Sequence, residues 1–208
     1  SSDLDNSHIT IDGMTFKFSP KAKVIIEKGS SLTLTNLAVL TSDYMGQPCT
    51  ESYTWGGVEV GGDKTLNQFT AGAQGKLIVN NSTIAFAECG AQNTEAGINS
   101  GGIIIASSTS SFYNNKIGIK FNKYQNYIPT PSGKKPYYPN LSSFTGCTFS
   151  ADGLYPFVDP PTLVSFIECN GVTFSQCTFQ SNNAPNLLNS LSIGIKSIDS
   201  RFTVMDNS

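Results

Sequence analysis

The chain alternates apolar and polar residues in short runs, and the runs recur along most of its length. One form has glycine followed by apolar, polar, apolar, as in IGIKF (117–121) and NGVTF (170–174). A second form begins and ends with an apolar residue. Between these ends lie two small or polar residues, a small residue and a polar residue, as in FTGCTF (144–149) and FSQCTF (174–179). A period of two over three to five residues predicts short β-strands. Stretches rich in Ala, Leu, Glu and Lys at helical spacing are missing, so the pattern predicts an all-β chain.

The spacing between copies predicts a repeat. Gly171 and Gly194 are 23 residues apart, and so are Cys177 and Ser200. Cys147 precedes Cys177 by 30 residues, with a Pro-rich insertion between them. A period in the low twenties with variable insertions is typical of stacked repeats, in which each unit buries its apolar row only against its neighbours. The sequence therefore predicts a right-handed parallel β-helix, a single-stranded solenoid with loop insertions.

In this architecture, equivalent side chains stack in columns inside the solenoid. The 23-residue alignment places Val172 and Ile195 as vertical neighbours, and Cys147 and Cys177 stack on neighbouring coils. Asparagine tolerates left-handed backbone and bonds its own backbone, so it is expected to turn the corners at Asn81, Asn115 and Asn182. The residues predicted to face inward are Val58, Val60, Ile103, Ile105, Ile119, Phe121, Phe149, Val172, Phe174 and Phe179.

An antiparallel β-sandwich is the alternative. It requires hairpin signals such as Asn-Gly between paired strands. The only Asn-Gly pair is Asn170-Gly171, which follows VSFIEC and precedes VTF, so one hairpin is compatible with the sequence there. The recurring spacing favours the solenoid.

The predicted organisation is an N-terminal cap or first strand at 1–23, followed by β-helix coils at 24–208. The coils are expected to continue, or to be capped, beyond residue 208 in a larger parent chain. Loops on a rigid solenoid tend to carry function. Four segments interrupt the strand pattern and are predicted to be such loops: 42–54, 61–74, 122–140 and 152–161.

Composition narrows the function classes. Charged residues make up 13% of the chain, the net charge is −2, and Arg201 is the only arginine, which argues against a nucleic-acid surface. No apolar run approaches ~20 residues, so no membrane insertion is expected. The 5 cysteines lack C-x-x-C spacing and the chain has 1 histidine, so neither a metal nor a cofactor is predicted. The cysteines are expected to be reduced and buried.

The segments VIIEKGSSLTLTNLAVLTS, WGGVEVGG, GKLIVNNSTIAFAECG, GGIIIASSTSSFYNN and FTGCTFSADGLYP carry a family resemblance. From Val24 to Asn183 the chain resembles the right-handed parallel β-helix regions of secreted or surface proteins from Bacteroidetes, within the pectate-lyase-like superfold. The WGGVEV and GGIIIAS segments are its most specific parts. The resemblance implies a β-helix, an extracellular or bacterial cell-surface location, and an adhesive or carbohydrate-related role.

Enzymes of that superfold combine clustered carboxylates with a basic residue, or use closely spaced aspartates. Here Arg201 has only Asp199 and Asp206 close in sequence, and no Asp-Asp pair occurs. Glycoside hydrolysis needs two carboxyl groups about 5–9.5 Å apart. The candidate carboxylates are Glu59, Asp63, Glu88, Glu95, Asp152 and Asp159.

Aromatic residues in the insertions are the candidate binding residues, because aromatic faces stack on sugar rings or on a protein partner. The alternative is that these rings fold back and cover the solenoid wall. The candidates are Tyr124, Tyr127, Tyr137, Tyr138, Tyr155 and Phe157.

The favoured hypothesis is a non-catalytic, adhesin-like surface module that presents its loops to a glycan or a host surface protein. The alternatives are a polysaccharide lyase or glycoside hydrolase, and a structural spacer in a multidomain surface protein.

Overall fold

The computed structural model of the protein describes residues 6–43, 53–94, 101–126, 139–181 and 192–207. Within them the chain forms 19 short strands that wind through three parallel sheets. Each complete coil contributes one strand to sheet A, one to sheet B and one to sheet C, in that order, and the last strand belongs to sheet A. The protein is an all-β, right-handed parallel β-helix, so the predicted fold class is confirmed. None of the described elements is a helix of the length and hydropathy needed to cross a membrane.

The strands of each sheet pair in parallel with the equivalent strands of the coils above and below. Sheet A contains β1 (His8–Asp12), β4 (Ser31–Thr35), β7 (Lys76–Asn80), β10 (Ile103–Ser107), β13 (Ser143–Thr145), β16 (Asn170–Ser175) and β19 (Arg201–Met205). Sheet B contains β2 (Thr15–Phe18), β5 (Val39–Ser42), β8 (Thr83–Ala85), β11 (Ser111–Tyr113), β14 (Thr148–Ala151) and β17 (Thr178–Ser181). Sheet C contains β3 (Lys23–Ile26), β6 (Trp55–Val60), β9 (Ala87–Asn93), β12 (Ile117–Phe121), β15 (Thr162–Ile167) and β18 (Ile193–Ile198).

The predicted N-terminal segment 1–23 overlaps the first coil. Its strands β1 and β2 pair with β4 and β5, so they are the first strands of sheets A and B. The partners Ile9 and Leu32 are 23 residues apart, so the first coil has the repeat length that the sequence predicts.

The corner between sheets A and B is tight in every coil, with two or three residues between the strands. Left-handed backbone makes these turns, and the residues that adopt it include Gly13, Asn81 and Gly146. Asn81, with φ 47°, turns its corner as predicted. At the corner between β11 and β12 the left-handed residue is Asn114, not Asn115. Asn115 is buried instead and accepts a hydrogen bond from Ala87 N at 2.9 Å. Asn182 lies outside the described residues.

The core is built from columns of apolar side chains, and each sheet contributes at least one. Residues in register on successive coils stack directly, because their strands run parallel. The sheet A column contains Leu34, Val79, Ala106, Phe144 and Phe174, the sheet B column contains Leu40, Ile84, Phe112, Phe149 and Phe179, and the sheet C column contains Val58, Ala91, Ile119, Val164 and Ile195.

Aromatic rings fill the C-terminal half of this core. Phe144 is fully buried and stacks on Phe174, with ring centroids 4.6 Å apart. Its edge meets Phe149, whose centroid lies 5.7 Å away. At the other end of the core, Trp55 is fully buried, stacks on Phe18 with centroids 4.4 Å apart, and donates its indole N–H to Ala85 O at 2.8 Å.

Two predictions of which residues stack inside the solenoid are wrong. Val172 pairs with Phe202 in sheet A, whereas Ile195 pairs with Val164 in sheet C, so Val172 and Ile195 are not vertical neighbours. The 23-residue alignment compared strands of different sheets, because every strand has the same single apolar row. The 30-residue spacing is a full coil, since Thr148 pairs with Thr178 immediately after the two cysteines.

The second wrong prediction concerns which residues of β10 face the core. Ile104 and Ala106 belong to the main core cluster, whereas Ile105 is only half-buried and Ile103 is buried outside that cluster. The prediction assumed that the same positions of GGVEV and GGIII face the core. However, GGVEV lies in sheet C and GGIII lies in sheet A. Three consecutive isoleucines carry no alternation of their own, so the sequence did not reveal the difference. The other residues predicted to face inward belong to the core or, in the case of Phe179, pack against it.

The aromatic stack makes a stability prediction. Phe144→Ala removes a fully buried ring with aromatic neighbours in both adjacent columns, so we expect it to lower the free energy of unfolding by about 3–5 kcal/mol. Urea unfolding followed by circular dichroism measures the change. Val158→Ala is the matched control, because Val158 is 75% exposed. Equal midpoints for the two variants would contradict the assigned core.

Candidate functional site

Long insertions gather at the corner between sheets C and A. Segments 61–75, 94–102 and 122–142 leave this corner on three successive coils. The corners that follow them, 168–169 and 199–200, are short. The predicted loops 61–74 and 122–140 correspond to two of these segments, whereas the prediction did not include 94–102.

A buried polar network joins the base of the largest insertion. Asn126 and Asn140 flank this insertion and are 1% and 7% exposed. Asn126 Nδ2 donates to Pro139 O at 2.9 Å, so the two ends of the insertion meet. Gln68, on the neighbouring loop, donates its backbone N–H to Asn126 Oδ1 at 2.9 Å and its side-chain Nε2 to Asn140 Oδ1 at 2.9 Å.

The Gln68 side chain connects all three insertions. Its Nε2 also donates to Gly102 O at 3.2 Å, and its Oε1 accepts from Leu141 N at 2.6 Å. Because Gln68 is 5% exposed, these contacts replace hydrogen bonds that water would otherwise supply. The network thus connects the described parts of the three segments, which we call the loop platform (61–75, 101–102, 122–126 and 139–142).

Gly171 allows the platform to approach the last coils. Asn140 N donates to Gly171 O at 3.2 Å. A Cβ added to Gly171 would lie 2.6 Å from Asn140 N and 3.1 Å from the Cα of Pro139. Gly171 also has φ +87°, which side-chain-bearing residues rarely adopt. Glycine at this position therefore permits the close contact between the insertion and β16.

An open groove of about 760 Å³ lies next to this contact. Pro139 forms part of its wall on the side of the platform, and Thr173 and Thr203 lie in register on adjacent strands of sheet A. The groove contains Arg201, the only arginine of the chain, and Asp199. It offers hydroxyl, amide, carboxylate and guanidinium groups; the remaining lining residues are Asn170, Gly171 and Ser200.

The predicted binding residues divide into those that the structure describes and those outside it. Tyr124 is 2% exposed, and its hydroxyl donates to Leu66 O at 3.0 Å. Its ring therefore supports the loop 61–75. Tyr127, Tyr137 and Tyr138 lie outside the described residues, in the part of the insertion between Asn126 and Pro139.

Tyr155 and Phe157 belong to the excursion 152–161, at the corner between sheets B and C. They are 3% and 1% exposed and form a small cluster with Ala151. The Tyr155 hydroxyl donates to Asp159 O at 2.9 Å, and the Lys116 ammonium lies 5.7 Å from the centroid of the Phe157 ring. These two rings are therefore buried against each other and against Ala151 of β14.

Asp152 fixes the start of this excursion. It accepts hydrogen bonds from the Tyr113 hydroxyl at 2.7 Å, from Asn114 Nδ2 at 2.9 Å and from Leu154 N at 2.9 Å. Burial acts to raise the pKa of Asp152, but these hydrogen bonds outweigh it and lower the pKa below its ordinary value. Burial and the contact with Asp152 raise the pKa of Tyr113 to about 12.

The other candidate carboxylates also have local partners where they are described. Asp63 accepts from Thr65 N at 2.9 Å, which closes a turn. Glu59 pairs with Lys23 at 2.6 Å, Asp159 pairs with Lys116 at 3.0 Å, and Glu88 pairs with Lys21. Glu95 lies outside the described residues. In the part of the chain that is described, no three His, Cys, Asp or Glu side chains are grouped so that they could hold a metal ion.

The sequence did not identify Gln68, Asn126 and Asn140 as site residues. They are single amides far apart in the chain, and no local pattern distinguishes them from other polar loop residues. The platform also exposes apolar side chains that were not predicted: Leu66 and Phe69 are 41% and 55% exposed, on either side of Gln68.

A comparison with known proteins finds no family, no curated protein and no solved structure that matches this chain.

The Gln68 network makes a testable prediction. Gln68→Ala removes the acceptor for Leu141 N and the donor to Asn140, and leaves both groups without this partner in a buried site. We expect the Leu141 amide to lose about 1–3 kcal/mol of protection against hydrogen exchange. Exchange measured by mass spectrometry checks this. Gln180→Ala is the control, because Gln180 is exposed. Unchanged protection of the Leu141 amide in the Gln68 variant would contradict the network.

Asp152 predicts a pH dependence. A carboxyl group with a lowered folded-state pKa stabilises the fold fully above its unfolded-state pKa, and this stabilisation disappears as the pH falls through the folded-state value. Asp152→Asn should therefore be less stable than wild type at pH 7, and the difference should shrink between about pH 4 and pH 2. Urea midpoints across this range, with the exposed Asp206→Asn as control, test it. If the stability difference between wild type and Asp152→Asn grew as the pH fell, the prediction would be wrong.

Proposed function

We propose that this protein is a non-catalytic, adhesin-like β-helix module of an extracellular or bacterial cell-surface protein. Its ligand is a glycan or a host surface protein, which it binds through the loop platform and the adjoining groove. The observation that carries the proposal is the buried Gln68 network, which ties the base of the Tyr-bearing insertion beside an open groove.

The network supports binding because it lowers the cost of ordering a loop. Association loses affinity when flexible side chains and loops must become ordered in the complex. Here Asn126 is already bonded to Pro139, and the adjacent Asn140 is bonded to Gly171 of β16. The insertion thus starts from a fixed base, which is how binding residues are presented by a rigid scaffold.

The chemistry of the groove suits a polar ligand. Thr173, Thr203 and Asn170 supply hydroxyl and amide groups that match the hydroxyl groups of a saccharide. Arg201 presents a planar donor that matches carboxylate or sulfate groups, and such groups occur on acidic glycans and on protein surfaces. Tyr127, Tyr137 and Tyr138 add aromatic residues to the adjoining insertion, where rings can stack on sugars or on a partner.

The partners of the carboxylates support the non-catalytic part of the proposal. Glu59, Glu88 and Asp159 form ion pairs, and Asp63 and Asp152 close turns. Two free carboxyl groups facing one groove would favour hydrolysis, and the described groove residues contribute one, Asp199. The bacterial surface setting rests on the sequence resemblance to Bacteroidetes β-helix regions.

Binding assays test this proposal. Wild type is applied to a glycan array and to immobilised host matrix proteins, alongside Tyr137→Ala/Tyr138→Ala and Arg201→Ala. We expect binding by wild type and at least a tenfold loss in each variant, since aromatic and arginine side chains contribute most to binding energy. Leu154→Ala is the control, because Leu154 is 63% exposed on the excursion at a different corner.

Other outcomes favour the remaining functions. Release of shortened products from pectic or host glycans would establish a lyase or hydrolase. Absence of binding to every ligand would favour a structural spacer. Full binding by both site variants would place the ligand elsewhere on the solenoid.

A further inference from the structure

Two cysteines occupy equivalent positions on consecutive coils. Cys147 lies between β13 and β14, and Cys177 lies between β16 and β17, both at the corner between sheets A and B. The following residues Thr148 and Thr178 are paired in register. Thr178 N donates to Cys147 O at 2.8 Å, so the parallel ladder extends to the cysteines themselves.

The two thiols point into the same part of the core. Cys177 Sγ donates to Ser175 O at 3.4 Å and also reaches Phe144 O at 3.5 Å, which belongs to the coil of Cys147. Cys147 Sγ donates to Thr145 O at 3.5 Å. The neighbouring Cys177 thiol, together with burial, raises the pKa of Cys147. Both cysteines are free in this structure.

The spacing of the coils is compatible with a covalent link. Neighbouring parallel strands lie about 4.8 Å apart. The Cα atoms of disulfide-bonded cysteines are usually about 4.4–6.8 Å apart, with Cβ atoms about 3.5–4.5 Å apart. In-register cysteines at a turn meet the first condition, and bond formation requires the turn to bring the Cβ atoms into the second range.

We propose that Cys147 and Cys177 form a reversible disulfide that cross-links two consecutive coils of the solenoid. This inference is independent of the proposed binding function. The oxidant is a low-molecular-weight disulfide. One protein thiolate attacks a sulfur of that disulfide and releases one small thiolate. The second protein thiolate then attacks the mixed disulfide at the protein sulfur and releases the other. Two electrons pass from the cysteine sulfurs to the small disulfide, and the two thiol protons pass to solvent or to the released thiolates.

The reaction requires local opening, because Cys147 and Cys177 are 1% and 0% exposed. Cys177 belongs to the last coil that contributes to all three sheets. The apolar residues of this end, including Phe179, Ile195 and Phe202, are only partly buried. Segments with few buried contacts open at lower free energy than the global transition. Oxidation is therefore expected to be slow and to proceed through opening of the last coils.

The cross-link has a measurable effect on stability. It closes a loop of about 30 residues in the unfolded chain, which lowers the entropy of the unfolded state. For a chain of this length, we expect a rise in Tm of about 5–15 °C. Reduction with a dithiol should reverse the rise.

The test uses the variant Cys49→Ser/Cys89→Ser/Cys169→Ser, which leaves only this pair. The variant is incubated in glutathione buffers of increasing oxidised fraction. We expect the thiol count in denaturant to fall from two to zero, the intact mass to fall by two hydrogens, and Tm to rise. Adding Cys147→Ala or Cys177→Ala should abolish the rise. Persistent free thiols, stable glutathione adducts, an intermolecular disulfide or a lowered Tm would each overturn the proposal.

Peptide mapping of oxidised wild type gives a second measurement that does not depend on the folding of any variant. It should show Cys147 linked to Cys177, with Cys89 and Cys169 unlinked. These two cysteines serve as internal controls, because each is buried as Cys147 and Cys177 are. Their sulfurs contact Ala91 O and Asn140 Nδ2 instead of a second described thiol. A linked peptide that contains Cys89 or Cys169, or the absence of the Cys147–Cys177 peptide, would contradict the inference.

Discussion

The structure depends on the in-register pairing of each strand with the strand one coil above and one coil below. A strand of three to seven residues buries one apolar row, and it cannot satisfy its own backbone groups. Parallel stacking solves both problems together, since the ladder that pairs N–H with C=O also places Phe144 on Phe174 and Phe112 on Phe149. Local contacts between neighbouring coils therefore hold the fold, as in other solenoids.

This dependence explains where the chain tolerates insertions. The corner between sheets A and B is always short, because its turn residues, such as Gly146, and the stacked Cys147 and Cys177 continue the ladder around it. The other two corners accept long segments, provided that the ends of each segment return to adjacent positions. Asn126 and Pro139 meet this condition through a direct hydrogen bond, and the excursion 152–161 meets it through its own aromatic cluster.

The sequence predicted the architecture because the alternation of apolar and polar residues is local and repeated. It also predicted Cys147 above Cys177, since the flanking phrases FTGCTF and FSQCTF match residue for residue in pattern. Which residues of a strand face the core in each sheet was not predictable, because GGVEV and GGIII look alike and yet belong to different sheets. The amides of the loop platform were not predictable either. Gln68 acquires its role from Asn140, 72 residues away, and only the coil geometry brings them together.

The adjacent ends of the largest insertion have a consequence for how the protein can change. The residues numbered 127–138 begin and end at neighbouring points on a scaffold whose stability comes from coil stacking. Their length and composition can therefore diverge without disturbing the columns of the core, as long as Asn126, Gln68 and Asn140 remain. The solenoid thus separates the residues that fold the chain from a segment that is free to vary, and under the proposed function a new specificity needs changes in that segment only.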